Sequence, residues 1–121
     1  TPGSQKYPPG LQYFYPSRGN FIGLIGNLPT FVDMLYLSRY IKQAGVPAQW
    51  LPAGIKGQLL QMTRLSDHAP FWDRGYPAIM VTDTAFLRNP HYHKSSDRLE
   101  TLDLDFLTGV CQGLIDGIRC L

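Results

Sequence analysis

The sequence holds no apolar run near the roughly 20 residues that a membrane-spanning helix needs, so no span is expected. Charge of one sign is also missing. Eleven Lys and Arg stand against nine Asp and Glu, a net +2, and the basic residues are scattered singly rather than gathered into a stripe. That balance offers no electrostatic footprint for nucleic acid or an anionic surface. Cysteine occurs only twice, at Cys111 and Cys120, both in the C-terminal apolar segment. A helix advancing about 100° per residue puts these two on opposite faces, which excludes a mutual disulfide. They read as free, buried thiols, a usage that suits a reducing compartment. Internal repeats and low-complexity tracts are lacking. The opening TPGSQKYPPG has neither an initiator Met nor the basic and apolar regions of a signal peptide. The chain therefore reads as an excised or processed piece.

What is present fits one ordinary globular domain over residues 1–121, with 44% hydrophobic and 17% charged residues. Residues 1–19, carrying Pro2, Pro8, Pro9 and Pro16 with Tyr7, Tyr13 and Tyr15, read as an irregular but ordered loop. NFIGLIGN, residues 20–27, is a short apolar run bracketed by Asn and Gly, and reads as a buried strand. A helix is expected over about Thr30–Ala44. Thr30 would be its cap, Asp33 would complete a capping box, and Phe31, Met34, Leu35, Tyr36, Leu37, Ile41 and Ala44 would form the apolar face. Gly45 and Pro47 stop it.

AQWLPAG fits a short strand or a loop, and Pro52 argues against a central strand. GQLLQMTRL fits strand or helix. SDHAPFWDRG reads as a short helix capped by Asp67, since Pro70 is comfortable only in a first turn. PAIMVTD reads as a buried strand, residues 84–102 as a loop, and 104–121 as a final helix. Strands alternating with helices indicate α/β architecture, with a small mixed or parallel sheet flanked by helices.

The three histidines, His68, His91 and His93, all lie between positions 68 and 93. In open α/β sheets, sites gather at the carboxyl ends of strands. The loop after PAIMVTD is such a place, and its NPHYHKSSD holds His91, His93 and Asp97. An H-x-H pair on a strand aims both rings to one side. Behind Pro90 the pair sits in a loop instead, where a metal pair and two solvated side chains are both open readings. Ser66 and Asp67 in SDH are as readily helix caps as site residues.

Taken together, SDHAPFWDRGYPAIMVTDTAF and NPHYHKSSD resemble the closing part of the catalytic domain in the co-catalytic zinc aminopeptidase family. Glutaminyl cyclases and transferrin-receptor-like ectodomains are relatives of that family. The shared pattern is D-H-x-x-F, then G-x-P-A opening a strand, then Y-H-x-x-x-D; GSQ and RGNFIGLIGN upstream also resemble it. The resemblance implies a partial zinc-exopeptidase domain. It assigns His93 as a zinc ligand and puts His91 at a variable position that is not a ligand. Ser66 and Asp67 fall where supporting groups orient the site, Asp97 where a residue either positions the loop or caps the turn after it, and Phe86 and Tyr92 near positions that line the substrate pocket. For both aromatics, plain packing is the alternative.

The departure is equally plain. The family's two-metal site also needs an H-x-D pair, a Glu-Glu pair and a further acidic ligand. This sequence has neither pair, and Glu100 is its one glutamate. The resemblance thus implies the C-terminal portion of an aminopeptidase domain. Two zinc ions and a peptide substrate would be bound by the intact parent, while zinc would be bound weakly or not at all by this chain alone. A non-catalytic peptidase-like binding module and a glutaminyl cyclase are the alternative readings. With the upstream half absent, self-association through an exposed sheet edge is expected.

Overall fold

Three strands make one sheet in the computed structural model, which describes residues 1–57 and 60–121. β1 (Ile22–Gly26) is central. β2 (Ala48–Pro52) pairs with it in parallel, Ile22 opposite Ala48 and Leu24 opposite Trp50. β3 (Ile79–Thr82) pairs antiparallel on the other side, Gly23 opposite Thr82 and Gly26 opposite Ile79. The sheet is therefore mixed, as the α/β reading anticipated. Pro52 is tolerated because it closes an edge strand. β3 is half-buried rather than buried, with Val81 exposed, because it too is an edge.

Period-two alternation divides the sheet residues between two environments. Ile22, Leu24, Ala48, Trp50 and Ile79 face the main core. They meet Met34, Leu37 and Ile41 of α1 (Phe31–Gln43), with Val46 in the connection to β2. Leu24, Met34 and Ile41 are completely buried, each worth about 1.5–3 kcal/mol in transfer free energy. The face of α1 is narrower than its sequence suggests. Phe31, Leu35 and Tyr36 are exposed, while Ser38 is buried and donates to the Leu35 carbonyl at 2.9 Å. Gly45, at φ +87°, ends the helix as expected.

The capping reading needs correction. A 3-10 turn (Leu28–Thr30) runs straight into α1, so Thr30 Oγ1 donates backwards to the Asn27 carbonyl at 2.7 Å and makes no cap bond. The short α2 (Ala69–Asp73) has His68, not Asp67, at its N-cap, again without a side-chain bond. Trp72 anchors this helix, completely buried, with Nε1 donating to the Ala78 carbonyl at 2.9 Å. The buried Asn27 joins the end of β1 to the entry of β3. Its Nδ2 donates to the Tyr76 carbonyl at 2.9 Å and its Oδ1 accepts from the Ala78 amide at 3.2 Å.

α3 (Leu104–Arg119) is capped by Asp103, whose carboxylate accepts from the Phe106 amide at 2.9 Å. It packs on α1 through a seam of small residues. A Cβ built at Gly113 would lie 2.4 Å from Ile41 Cα. This seam corrects the cysteine reading: α3 buries Gly113 and Gly117 against α1, and Cys111 and Cys120, free as expected, are exposed. Leu104, Leu107, Ile115 and Ile118 are also exposed. Residues 1–21 are irregular apart from one turn (Leu11–Tyr13), and GQLLQMTRL lies partly outside the described residues, with a 3-10 turn at Gln61–Arg64. No helix among the described residues is long and apolar enough to cross a membrane.

Candidate functional site

The sheet face turned away from the main core carries Gly23, Ile25, Gln49, Leu51, Met80 and Thr82. All six line a cavity of about 340 Å³. That volume is at the small end of the roughly 300–1,000 Å³ typical of small-ligand sites. Met62, Thr63, Leu65 and Ser66 close one side, and Ala85, Phe86, Leu87 and Tyr92 another. The N-terminal segment adds Gln5, Tyr7, Pro8, Leu11 and Tyr15. Tyr7 and Tyr15 stack at 6.1 Å between centroids. Their hydroxyls donate to the carbonyls of Pro16 at 2.6 Å and Trp50 at 2.9 Å. Burial pushes both phenols above their ordinary range, and for Tyr7 the nearby Arg88 partly offsets the rise. Both are therefore neutral donors at neutral pH.

The segment after β3 turns sharply. Thr84 and Ala85 take φ of +71° and +46°, and a 3-10 turn (Ala85–Leu87) follows. Phe86 and Tyr92 face each other at 6.0 Å between centroids, tilted by 54°. The His93 ring stacks on Tyr92 at 3.9 Å, its backbone at φ +55°. His93 is exposed and stands one ring away from a residue of the cavity wall. Since β3 runs antiparallel to β1, this loop sits at β3's carboxyl end but at the amino ends of β1 and β2. The carboxyl-end expectation holds for one strand of three.

The structure brings only some of the sequence-marked residues together. Phe86, Tyr92 and Ser66 reach the cavity, while Asp67 and Asp97 are exposed and do not line it. Asp97 closes a turn through its amide, which donates to the Lys94 carbonyl at 3.0 Å. The His91 ring engages Ser96 Oγ through Nδ1 at 3.0 Å. His68 is buried against Trp72, with Nε2 on the Thr63 carbonyl and Nδ1 lacking a partner among the described residues. No group of three or more His, Cys, Asp or Glu side chains among the described residues is placed to hold a metal ion. The donors of this chain therefore do not by themselves fit a zinc centre, which takes at least three protein ligands.

Several contributors were not marked from sequence. Gln5, Tyr7 and Tyr15 lay in a segment read only as an ordered loop, and its density of tyrosine beside proline was the available signal. Gly23 sits within the run that reads as a buried strand. Its lack of a side chain leaves room on the cavity face beside Thr82, whose carbonyl lies 3.3 Å from where a Cβ would stand.

Comparison with known proteins gives the context. The chain is similar to the uncharacterized protein YfbL of Escherichia coli (strain K12), 36% identical over 123 aligned positions, covering 95% of this chain and 35% of YfbL. Proteins named probable leucine aminopeptidase from Arthroderma benhamiae and Trichophyton verrucosum are each 49% identical over 43 residues, covering 35% of this chain and 12% of the fungal proteins. The chain thus spans about a third of YfbL's length and less of the fungal relatives. No solved structure gives a significant match. The profile of peptidase family M28 matches residues 34–116, a stretch that runs from α1 through the cavity-lining loops into α3, and the chain belongs to that family.

Proposed function

We propose that this chain is the C-terminal portion of a zinc-dependent aminopeptidase domain, removing N-terminal residues from peptides in the intact protein. The observation that carries this reading is the pairing of His93 with the cavity. A candidate ligand stacks on Tyr92, and Tyr92 with Phe86, Met80, Leu51 and Ile25 walls a largely apolar space sized for a side chain. In this reading the cavity takes the substrate's N-terminal side chain. His93 is the one zinc ligand contributed here, and the remaining ligands and the general base come from upstream sequence. Ser66 borders the cavity, and Asp97 closes the turn after His93 through its amide. The names of the fungal relatives and the family support peptidase chemistry.

Three features support the partial-domain reading. The chain covers a third of YfbL, the three-stranded sheet ends in edges at β2 and β3, and Leu104, Leu107, Ile115 and Ile118 are exposed. Upstream segments would cover these surfaces in the intact protein, and a second copy would occupy a free edge when the chain is alone.

The test compares the isolated chain with a longer protein carrying H-x-D and Glu-Glu upstream. The chain alone should release no p-nitroaniline from L-leucine p-nitroanilide and should lose zinc to a mild chelator. The longer protein should hydrolyse the substrate and keep its metal. One equivalent of zinc surviving dialysis in the chain alone would overturn the ligand assignment. A longer protein that binds peptides without cleaving them would make this a binding module.

A further inference from the structure

Thr84 and Ala85 are consecutive non-glycine residues in the left-handed region, with φ +71° and +46°. Such a conformation is disfavoured for any residue with a Cβ and most of all for a β-branched one. It persists only where surrounding contacts over-determine it. Locally the Thr84 amide donates to Thr82 Oγ1 at 2.9 Å and the Ala85 amide to Asp83 Oδ1 at 2.8 Å; the long-range side-chain contacts run through Gln5 and Arg88. Arg88 Nε donates to Gln5 Oε1 at 2.8 Å, and the same oxygen accepts from Thr84 Oγ1 at 2.9 Å. Arg88 Nη1 donates to the Phe21 carbonyl at 2.6 Å, and the guanidinium lies 4.6 Å from the Phe21 ring centroid. The Lys6 amide adds a bond to the Leu87 carbonyl at 2.9 Å.

We propose that Arg88, acting through Gln5, is a positioning residue that holds the left-handed turn and so fixes Phe86 and Tyr92 on the cavity wall. Only a planar fork serves here. One guanidinium reaches Gln5 and the Phe21 carbonyl in different directions while covering an aromatic ring, which a lysine ammonium cannot do. Gly19, within the RGN of the sequence pattern, makes room for it: a Cβ there would lie 2.8 Å from Arg88 Cγ, Cδ and Nε. Among the described residues Arg88 Nη2 is buried without an acceptor, and burial lowers the pKa of the guanidinium, with Asp83 and Tyr7 opposing.

The consequence for catalysis rests on the aminopeptidase reading, but the clamp itself does not, and the test separates them. In this chain, nuclear Overhauser contacts between the Phe86 and Tyr92 rings report the loop directly. Arg88→Met and Gln5→Leu should each abolish them while the Leu24 and Met34 signals of the main core stay in place. Adding Ala85→Gly to Arg88→Met should restore them, because glycine accepts positive φ without strain. Ring contacts that persist in both single variants, or a double variant without rescue, would overturn the proposal. Should Arg88→Met also disturb the core, Gln5→Leu alone decides. In a longer active protein, Arg88→Met should raise KM for L-leucine p-nitroanilide roughly tenfold with kcat within a few-fold, the signature of lost uniform binding. A fall in kcat at unchanged KM would overturn the positioning role. Absence of hydrolysis in the unsubstituted protein would refute the peptidase reading and leave the ring contacts to judge the clamp.

Discussion

Replacing Gly113 with alanine sets helix propensity against packing, and the geometry decides the sign. Alanine is favoured over glycine in a helix interior by about 1 kcal/mol. Against this, the new Cβ would lie 2.4 Å from Ile41 Cα, 2.9 Å from Ile41 N and 3.0 Å from Ile41 Cγ1. Ordinary carbon contacts lie at about 3.5–4.0 Å. The two nearest atoms are backbone, so no rotamer change relieves the clash and α3 must move off α1. Overpacking of this kind costs typically about 1–3 kcal/mol, and a backbone contact belongs at the upper end. We expect a net loss of about 1–2 kcal/mol, the difference between those two terms. Gly117→Ala is the control, because its closest neighbour at 2.9 Å is Leu37 Cδ2, the end of a flexible side chain. It should be close to neutral. Equilibrium denaturant unfolding followed by tryptophan fluorescence gives both values. A Gly113→Ala variant as stable as the parent chain, or more stable, would show that the helices are not in backbone contact and refute the seam.

Three further outcomes follow from the same structure. In a longer protein with zinc bound, His93→Ala should lose at least roughly 10–100-fold in zinc affinity or activity, whereas His91→Ala, whose ring engages Ser96, should stay within a few-fold; metal content and aminopeptidase rate measured with thermal unfolding check this, and equal damage from both would refute the ligand assignment. Asn27→Ala leaves the half-buried Tyr76 carbonyl and Ala78 amide without their partner and should cost about 1–2 kcal/mol, the lower part of the range for unsatisfied groups, measurable by the same unfolding experiment. Both thiols, being exposed, should react with a thiol reagent in the folded chain at rates near those in denaturant, and strong protection of either would refute the placement of α3.

What could be read from sequence and what could not follows from the range of the interactions. α1 and α3 were legible because apolar spacing and the Gly45 stop are local signals. β1 was legible as an apolar run between Asn and Gly. Thr30 does stand at the N-cap of α1, but the preceding turn engages its hydroxyl, and at α2 His68 takes the cap position in place of Asp67. Cysteine burial failed because a hydrophobicity count does not register that glycines, not cysteines, let α3 approach α1. Strand direction was beyond the pattern as well, since an apolar strand reads the same parallel or antiparallel. Among the cavity-lining residues, Phe86 and Tyr92 are positions that the resemblance marks, while Gln5 and its partner Arg88 carry no mark in the sequence. Their long-range partners are 67 to 83 residues away in the chain, and no short window contains both ends.

That long-range pairing is a consequence of the reversed third strand. With β3 antiparallel, Thr82 ends beside Gly23, so the segment leaving β3 emerges where the chain enters β1. Phe21, the residue before β1, is thereby within reach of Arg88, and the N-terminal segment is within reach of the turn at Thr84. A parallel β3 would have delivered the same loop to the far end of β1, beside Asn27, and left Gln5 with nothing to hold. The cavity lies on the face where the two segments meet, lined by Gln5 and Tyr7 from one and by Phe86 and Tyr92 from the other. One edge strand's direction thus decides which parts of the sequence build the site. It also explains why residues as far apart as Gln5 and Tyr92 must be read together to see it.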